Sequence, residues 1–536
     1  MVELAHWPIR TAIKADWFYP VMIVAGGATL RLAFFSGGLG TDEIVYLSQA
    51  HHLLSGDFNP AGYLGAIRYG INAFQALSLC LFGNGVTGAA GLYFACSLAS
   101  ILLCYGFAFA YHLWGRRAAI WASLALTVLP IDVTLAGSLN PDPYLSLTIS
   151  ASIIVFYFAE QEGRAALYLL AGLLAGWVFW IKEEVLVFGF LFLYFAWPQR
   201  PWRAGWLWFL LGGLICVAGD LAFFWEVYGD PFYQYGIVHK DVGNWLGTQP
   251  LGDSVPWAYV HYLVVNIYHT GILGWLALAG ALLMWRRRSE PARRFVLGWA
   301  IGLLLVFSIL PISLSPLTFI RKQANYMDIF ALPLALLAGW FLAQQRRGAA
   351  LFLGGAMALI GITLSGLEQQ VVRAVTANGR AAASFAQAHP GTPVFGPLTA
   401  QRQSMVSRLL QGSLDDSHDI RPFADLNRLP RSGGSANDTV AYLVEDPQMQ
   451  HWSGATAEVP LADAQRRCLT PEGPLVPSDL GLGRSIVAAL RVMASVFPAR
   501  YDAAALKAID PLWQVAPAEV YAITSECASS ALSAAP

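Results

Sequence analysis

The feature that most constrains this chain is a series of apolar segments, each about 17–25 residues long, which is the length a helix needs to cross a ~30 Å hydrocarbon core. The segments lie near 17–36, 86–111, 118–136, 144–159, 165–181, 184–197, 205–226, 257–285, 295–314, 326–343 and 349–366. They predict a polytopic α-helical membrane protein with about eleven transmembrane helices.

The composition supports the same conclusion. Of the 536 residues, 56% are hydrophobic and 12% are charged, whereas soluble domains carry about 25% charged residues. A soluble protein of this composition would have too little polar surface to stay dispersed. The net charge of −1 argues against nucleic acid as a partner.

Arginine and lysine are concentrated between alternate pairs of the predicted helices. Short loops rich in these residues stay in the cytoplasm. A single membrane topology keeps all of them there, and it places the amino terminus inside and the C-terminal segment outside. We therefore expect a multi-pass protein of the bacterial inner (plasma) membrane with a periplasmic or extracellular C-terminal domain. The residues that define the cytoplasmic side are Arg10, Lys14, Arg116, Arg117, Arg164, Arg200, Arg203, Arg286, Arg287, Arg288, Arg293, Arg294, Arg346 and Arg347.

The composition changes near Glu368, which divides the chain into a transmembrane domain, 1–367, and an external domain, 368–536. In the second, 394–396 and 439–444 predict strands and 384–388, 401–411 and 484–496 predict helices. A soluble α/β domain is expected. Cys468 and Cys527 both lie in it, and the sequence leaves open whether they form a disulfide.

The first external loop, 36–85, is too long for a simple connection. Its segment Ile44–Ser55 predicts an amphipathic helix in the plane of the membrane interface. The predicted apolar face carries Tyr46, Leu47, Ala50, Leu53 and Leu54; the polar face carries Ser48, Gln49, His52 and Ser55. The stretch 71–82 is expected to lie at the interface or pack against the bundle, with a further span as the alternative.

Charged residues gather at the external ends of the predicted helices. Burying a carboxylate near a membrane costs free energy, so acidic residues there mark functional sites. Cations at the external face, where positive charge is disfavoured, are candidates for binding an anion. Together they suit a reaction in which a carboxylate deprotonates a hydroxyl while cations stabilise a leaving phosphate. The charged residues are Asp42, Glu43, Arg68, Asp142, Lys182, Glu183, Arg321 and Lys322, and the neutral Tyr326 lies beside the last two in sequence.

Structural roles are the alternative for several of these residues. Asp42 and Glu43 could cap a helix, and Asp142, between two prolines, could form a turn. His51 and His52 read as polar-face residues, since nothing around them has the spacing of metal ligands. The sequence predicts no metal site.

The first loop, Thr-Asp-Glu-Ile-Val-Tyr-Leu-Ser-Gln-Ala-His-His-Leu-Leu-Ser-Gly (41–56), resembles the Asp-Glu loop of membrane glycosyltransferases with the GT-C fold. The resemblance is strongest to the branch of protein O-mannosyltransferases and aminoarabinose transferases (glycosyltransferase families 39 and 83). Similar segments continue in order over roughly the first 345 residues: 81–83, 113–115, 172–176, 180–183 and 321–333.

This resemblance implies a polyprenyl-phosphate sugar as donor at the external face. It implies that Asp42 is the catalytic base and that Glu43 orients the acceptor or supports the loop. The family's lysine-containing stretch of the first loop is replaced here by Ala66-Ile-Arg-Tyr-Gly70, where Arg68 could take the place of the lysine. The substrate-binding set implied is Arg68, Tyr69, Asp142, Lys182, Glu183, Arg321, Lys322 and Tyr326.

The sequence therefore predicts an inverting enzyme that moves one sugar to a lipid, glycan or protein hydroxyl. An oligosaccharide ligase or polymerase with a lipid-diphosphate donor is the first alternative. A lipid-linked sugar flippase is less favoured because the acids collect at one face and no repeat is visible, and a non-catalytic scaffold would not be expected to keep Asp42. No cofactor is predicted, and a divalent metal is not expected to be essential. The expected partners are membrane lipids, the donor and the acceptor.

Overall fold

The structure, a computed structural model, describes residues 17–58, 64–110, 114–196, 203–248, 255–286, 290–314, 317–320, 322–416, 419–428, 438–447, 469–477, 480–496, 506–507 and 509–525. Its α-helices are α1 (Phe18–Ala33), α2 (Asp42–Ser55), α3 (Tyr69–Phe82), α4 (Val86–Ala110), α5 (Gly115–Thr127), α6 (Pro130–Ala136), α7 (Asp142–Glu162), α8 (Ala165–Ile181), α9 (Phe190–Ala196), α10 (Gly205–Tyr228), α11 (Tyr233–Thr248), α12 (Ala258–Val264), α13 (Leu273–Arg286), α14 (Pro291–Ile309), α15 (Ala331–Gln344), α16 (Arg347–Ala388), α17 (Leu398–Leu410) and α18 (Gly483–Ala494). Short 3-10 helices cover Leu64–Ile67, Glu183–Gly189, Ala324–Phe330 and Phe423–Arg428. The strands are β1 (Pro311–Leu314), β2 (Leu317–Phe319), β3 (Val394–Phe395), β4 (Thr439–Glu445), β5 (Leu469–Leu475) and β6 (Ala518–Thr524).

The predicted polytopic helical architecture is confirmed. Within the described ranges, six helices are long and apolar enough to cross a membrane, or up to seven if α5 and α6 form one bent span. Four shorter apolar helices, α1, α3, α8 and α13, add to these. Three of these four, α1, α8 and α13, correspond to predicted spans. The predicted number of about eleven transmembrane helices therefore includes helices that are shorter than a full span.

Several of the predicted spans are not continuous α-helices. The span at 118–136 bends by 57° between α5 and α6, where Pro130 lacks a backbone N–H and fixes φ. The span at 257–285 is interrupted between α12 and α13, where Gly271 adopts a positive φ of 56°. The span at 184–197 begins as the 3-10 helix Glu183–Gly189 before α9.

Glycines allow α8 and α10 to pack backbone against backbone. A Cβ on Gly172 would lie 2.0 Å from the Phe209 carbonyl oxygen, and a Cβ on Gly212 would lie 2.4 Å from the Leu169 carbonyl oxygen. Small residues permit such close approach between membrane helices. This crossing fixes α8, and α8 ends immediately before Lys182.

Contacts divide the described residues into two compact units. The first is drawn from Met1–Ala33, Pro60–Phe74 and Leu92–Ser365, and the second from Phe34–Asn59, Gln75–Gly91 and Gly366–Pro536. The second unit therefore includes parts of the first loop as well as the C-terminal segment. The division into 1–367 and 368–536 stays a prediction.

The second unit contains the predicted α/β structure. Its four strands have the order β3-β4-β6-β5, in which β3 is parallel to β4 and the other neighbours are antiparallel. Ala441 and Leu443 on β4 belong to one apolar cluster and Val444 to another, as expected when side chains alternate between faces. The predicted strands and helices of this segment are confirmed, while Cys468 and Cys527 lie outside the described residues.

The predicted helix of the first loop is present as α2, but its buried face is broader than expected. Tyr46, Leu47 and Ala50 are buried as predicted, whereas Gln49 is also buried and Leu54 is exposed. The ring of His51 on α2 hydrogen-bonds the Leu409 carbonyl oxygen of α17 at 2.8 Å. Contact with α17 therefore buries part of α2 outside the predicted apolar face. The placement of α2 in the membrane interface stays a prediction. The stretch 71–82 is the 14-residue helix α3.

Candidate functional site

The first unit brings Asp142 and Lys182 together at two helix ends. Asp142 lies in the first turn of α7, where a negative charge is favoured by the helix dipole, and its backbone N–H is bound by the Asn140 side chain at 2.9 Å. Lys182 directly follows α8, at the helix end that favours a cation. Its Nζ atom lies 3.7 Å from Asp142 Oδ1, and both side chains are largely buried.

The 3-10 helix Ala324–Phe330 completes this cluster. Asn325 Nδ2 donates to Asp142 Oδ2 at 2.6 Å, and the ring centroid of Tyr326 lies 4.2 Å from Lys182 Nζ. The cation–π contact and the ion pair share the ammonium group of Lys182. Since 3.7 Å is too long for a hydrogen bond, this ammonium group retains N–H donors for an incoming anion.

Arg68 and Glu183 form a buried pair. Arg68 Nε donates to Glu183 Oε2 at 3.2 Å and Nη2 donates to Oε1 at 2.8 Å, with both side chains 6% exposed. Burial raises the pKa of the Glu183 carboxyl and is the largest single influence, but the charge and hydrogen bonds of Arg68, a backbone hydrogen bond and the Lys182 charge together leave that pKa below its usual value. The positive charge of Arg68 is thus neutralised within the protein.

Lys322 is a buried cation of a different kind. Its Nζ donates to the Ile320 carbonyl oxygen at 2.6 Å and lies about 6 Å from the ring centroids of Tyr259 and Phe319. The part of the chain that the structure describes supplies no carboxylate within ion-pairing distance, although Lys322 is only 6% exposed. Burial lowers the pKa of the ammonium group to about 8. An anionic ligand would compensate this charge.

Tyr69, the residue after Arg68, directs its hydroxyl toward Tyr228. Its OH lies 2.6 Å from the OH of Tyr228, and Tyr228 stacks on Tyr233 with ring centroids 4.1 Å apart. Phe223 packs edge-on against the Tyr69 ring at 4.5 Å. These contacts form an aromatic cluster adjoining the Arg68–Glu183 pair.

In the second unit, Asp42 and Glu43 have distinct environments. The buried Glu43 carboxylate accepts hydrogen bonds from Gly40 N at 2.7 Å, Thr41 N at 2.9 Å and Thr41 Oγ1 at 2.6 Å. Asp42 is exposed, and among the described residues its carboxylate has no hydrogen-bond or ion-pair partner. Glu43 is therefore committed to holding the loop, whereas Asp42 is available to accept a proton.

Several polar residues of the first unit were not singled out from the sequence. Asn325 binds Asp142, as described above. Asp132 pairs with Arg31 inside the bundle, and Asp328 is buried with both carboxylate oxygens lacking a hydrogen-bond partner among the described residues. An ionisable residue within a predicted span was the available signal for the two acids. Arg321 lies outside the described residues.

The described residues contain no cluster of three or more His, Cys, Asp or Glu side chains that could hold a metal ion.

Comparison with known proteins identifies the fold. Residues 69–223 match the family described as dolichyl-phosphate-mannose-protein mannosyltransferase. The chain resembles ArnT from Cupriavidus metallidurans bound to undecaprenyl phosphate, with a TM-score of 0.57 and 15% identity over 97% of this chain and 100% of that one. The apo form of that protein matches with the same TM-score and identity over 95% and 98% of the two chains.

The oligosaccharyltransferase of Archaeoglobus fulgidus, in complex with zinc and sulfate, is similar at a TM-score of 0.47 and 12% identity, over 81% of this chain and 69% of that one. No curated protein sequence matches the chain. The fold is GT-C, as predicted, and together with the family match it makes this multi-pass membrane protein a glycosyltransferase.

Proposed function

We propose that this protein transfers a single sugar from a polyprenyl-phosphate donor to a hydroxyl group of a lipid, glycan or protein. The family match and the fold shared with a protein bound to undecaprenyl phosphate support a donor of this class. The observation that carries the proposal is Lys322, a buried lysine with no carboxylate partner among the described residues. The anionic phosphodiester of the donor supplies the missing negative charge, and the departing polyprenyl phosphate carries more of it.

The proposed reaction is a single displacement. The acceptor oxygen attacks the anomeric carbon as its proton passes to the carboxylate of Asp42, and the bond from that carbon to the phosphate oxygen breaks. The polyprenyl phosphate leaves with the bonding electrons, and the configuration at the anomeric carbon inverts. Lys322 and Lys182 stabilise the charge that grows on the leaving phosphate. Glu43 keeps the loop before α2 in shape.

Arg68, Tyr69 and Glu183 have a supporting role in this proposal. Because Arg68 is neutralised by Glu183, the pair orders the segment that ends α8 and carries Lys182, rather than adding net charge toward phosphate. Asp142 and Tyr326 position the Lys182 ammonium group. Arg321 is proposed as a further phosphate ligand on the family resemblance alone.

The chemistry is proposed to occur at the external face of a bacterial inner membrane, with the amino terminus in the cytoplasm and the C-terminal domain outside. The short-loop arginine pattern supports this orientation. A ligase or polymerase would instead require a lipid-diphosphate donor. Parallel assays with monophosphate and diphosphate sugar donors separate the two reactions.

The central test replaces Asp42 by Asn in protein reconstituted into proteoliposomes. Loss of a general base lowers transfer by about 10²–10⁴-fold, while thermal unfolding stays unchanged because Asp42 is exposed. Asp57→Asn is the matched control, since Asp57 is an exposed acid just beyond the same helix, whose only partner among the described residues is His52 at 3.3 Å. Wild-type transfer by the Asp42 variant would refute the assignment of the base.

A further inference from the structure

The loop that carries Asp42 belongs to the same compact unit as the C-terminal segment. Phe34–Asn59 and Gly366–Pro536 are both in the second unit, although they are far apart in the sequence. Helices α16 and α17 of the C-terminal segment supply hydrogen bonds to this first-loop segment. These bonds lie on both sides of Asp42 in the sequence, so they bear on how the proposed base is held.

The first-loop segment is bound by α16 at its beginning. The Phe35 carbonyl oxygen accepts from Gln369 Nε2 at 2.8 Å and from Arg373 Nη2 and Nε at 2.8 and 3.2 Å. Gln369 is buried, and its Oε1 atom accepts from Gly483 N at 2.8 Å. Because the side chain of Gln369 is fixed at both of its polar atoms, the chain leaves α16 toward Asp42 from a defined point.

Helix α17 holds the residues directly before Asp42. Gln403 Nε2 donates to the Gly38 carbonyl oxygen at 3.1 Å, and Gln403 is only 4% exposed. Gly40 adopts a positive φ of 86° and packs so closely on α17 that a Cβ there would lie 2.8 Å from the Cβ atom of Arg402. The backbone at 38–40 is therefore fitted to α17.

The same helix holds the chain after Asp42. Gly40 N donates to Glu43 Oε1 at 2.7 Å, which ties the loop to the first turn of α2, and the His51 ring binds the Leu409 carbonyl oxygen at 2.8 Å, which fixes α2 on α17. Asp42 is exposed, and among the described residues its carboxylate has no partner of its own. The position of this carboxylate therefore depends on the backbone that α17 holds.

We propose that the C-terminal segment positions the catalytic base, with Gln403 as the positioning residue. The inference rests on the proposed role of Asp42 and deepens it. Gln403 acts through Gly38 and the turn that follows, and a displacement of about 1 Å at a reacting group can cost about 10²-fold in rate. Donor binding does not depend on Gln403, because the cations assigned to the phosphate, Lys182 and Lys322, belong to the first unit.

Hydrogen exchange of the full-length protein in nanodiscs tests the positioning without any substrate. Gln403→Met removes the donor to Gly38 and is expected to speed exchange of the amides at 38–43 about fivefold, the effect of one lost hydrogen bond. Gln401→Met is the matched control, since Gln401 lies on the same helix but donates to the Gly396 carbonyl oxygen at 2.9 Å, outside the first loop. Wild-type exchange at 38–43 in Gln403→Met, or the same increase in both variants, would overturn the proposal.

A double-mutant cycle connects Gln403 to the reaction. Transfer is followed by mass spectrometry in cells, as the initial rate, per amount of protein, at which the sugar-bearing species that a deletion strain lacks accumulates. Gln403→Met is expected to lower this rate about tenfold and Asp42→Asn about 10²–10⁴-fold, while Gln401→Met is not expected to lower it. A positioning residue adds nothing once the base is gone, so the double variant Asp42→Asn with Gln403→Met is expected to match Asp42→Asn.

The outcomes of the cycle separate the two proposals. A wild-type rate in Asp42→Asn would refute the base, and the positioning role with it. A slow Asp42→Asn whose rate falls a further tenfold with Gln403→Met would overturn the positioning role alone, because independent effects multiply.

A pair of glycine variants tests the contact with α17 by a second route. Gly40→Ala places a Cβ against Arg402, whereas Gly37 has a similar positive φ of 81° but a Cβ there would meet nothing within 4 Å. Both variants strain the backbone, and only Gly40→Ala also pushes the loop away from α17. Its transfer rate is expected to be about tenfold below that of Gly37→Ala, and equal rates would contradict the proposal.

Discussion

Replacement of Lys322 by Arg tests the proposed phosphate site through its pH dependence. Burial lowers the pKa of the Lys322 ammonium group to about 8, and a lysine is charged below its pKa and neutral above it. About nine-tenths of the side chains are therefore charged at pH 7 and about one-tenth at pH 9. If phosphate binding requires the charge, kcat/KM for the donor falls about tenfold between these two pH values. An arginine stays charged throughout this range.

The assay measures initial rates in proteoliposomes from pH 6.5 to 9.5 with the donor below its KM, because kcat/KM then reports groups of the free enzyme. The ratio of wild-type to Lys322→Arg rates removes titrations that both proteins share, and it is expected to decline with a midpoint near 8. Lys322→Met is expected to be slow at every pH, without this decline. A ratio that does not change between pH 7 and pH 9 would refute the reasoning that Lys322 acts as a charged ligand.

Two further predictions concern stability. Glu183→Gln leaves the Arg68 guanidinium buried without its counter-charge and is expected to cost about 3–5 kcal/mol of stability. The double variant Glu183→Leu with Arg68→Met removes both charges and is expected to recover much of this loss. Thermal unfolding in detergent measures both variants, and a Glu183→Gln protein as stable as the double variant would contradict the assignment. Gly172→Ala places a Cβ 2.0 Å from a carbonyl oxygen of α10 and is expected to cost about 1–3 kcal/mol, while Gly213→Ala, whose Cβ would meet nothing nearer than 4.0 Å, is tolerated. Equal unfolding temperatures for these two glycine variants would show that the crossing can relax.

The sequence determined the parts of this protein that depend on short-range rules. Apolar runs of spanning length require helices because a bilayer leaves backbone groups no other partners. The positions of Asp142 and Lys182 at helix ends followed from the same runs, since charges are excluded from the apolar segments between them. Strand and turn signals also indicated that the C-terminal segment contains α/β structure.

Tertiary structure alone decided which charges remain available. Arg68 and Glu183 are 115 residues apart and neutralise each other, whereas Lys322 has no such partner in the described part of the chain. Glu43 is bound by the backbone of its own loop while the adjacent Asp42 is exposed. The sequence lists ionisable groups, but the partner of a buried charge is set by how distant helices pack, because electrostatic energy depends on separation in space and on burial rather than on separation along the chain.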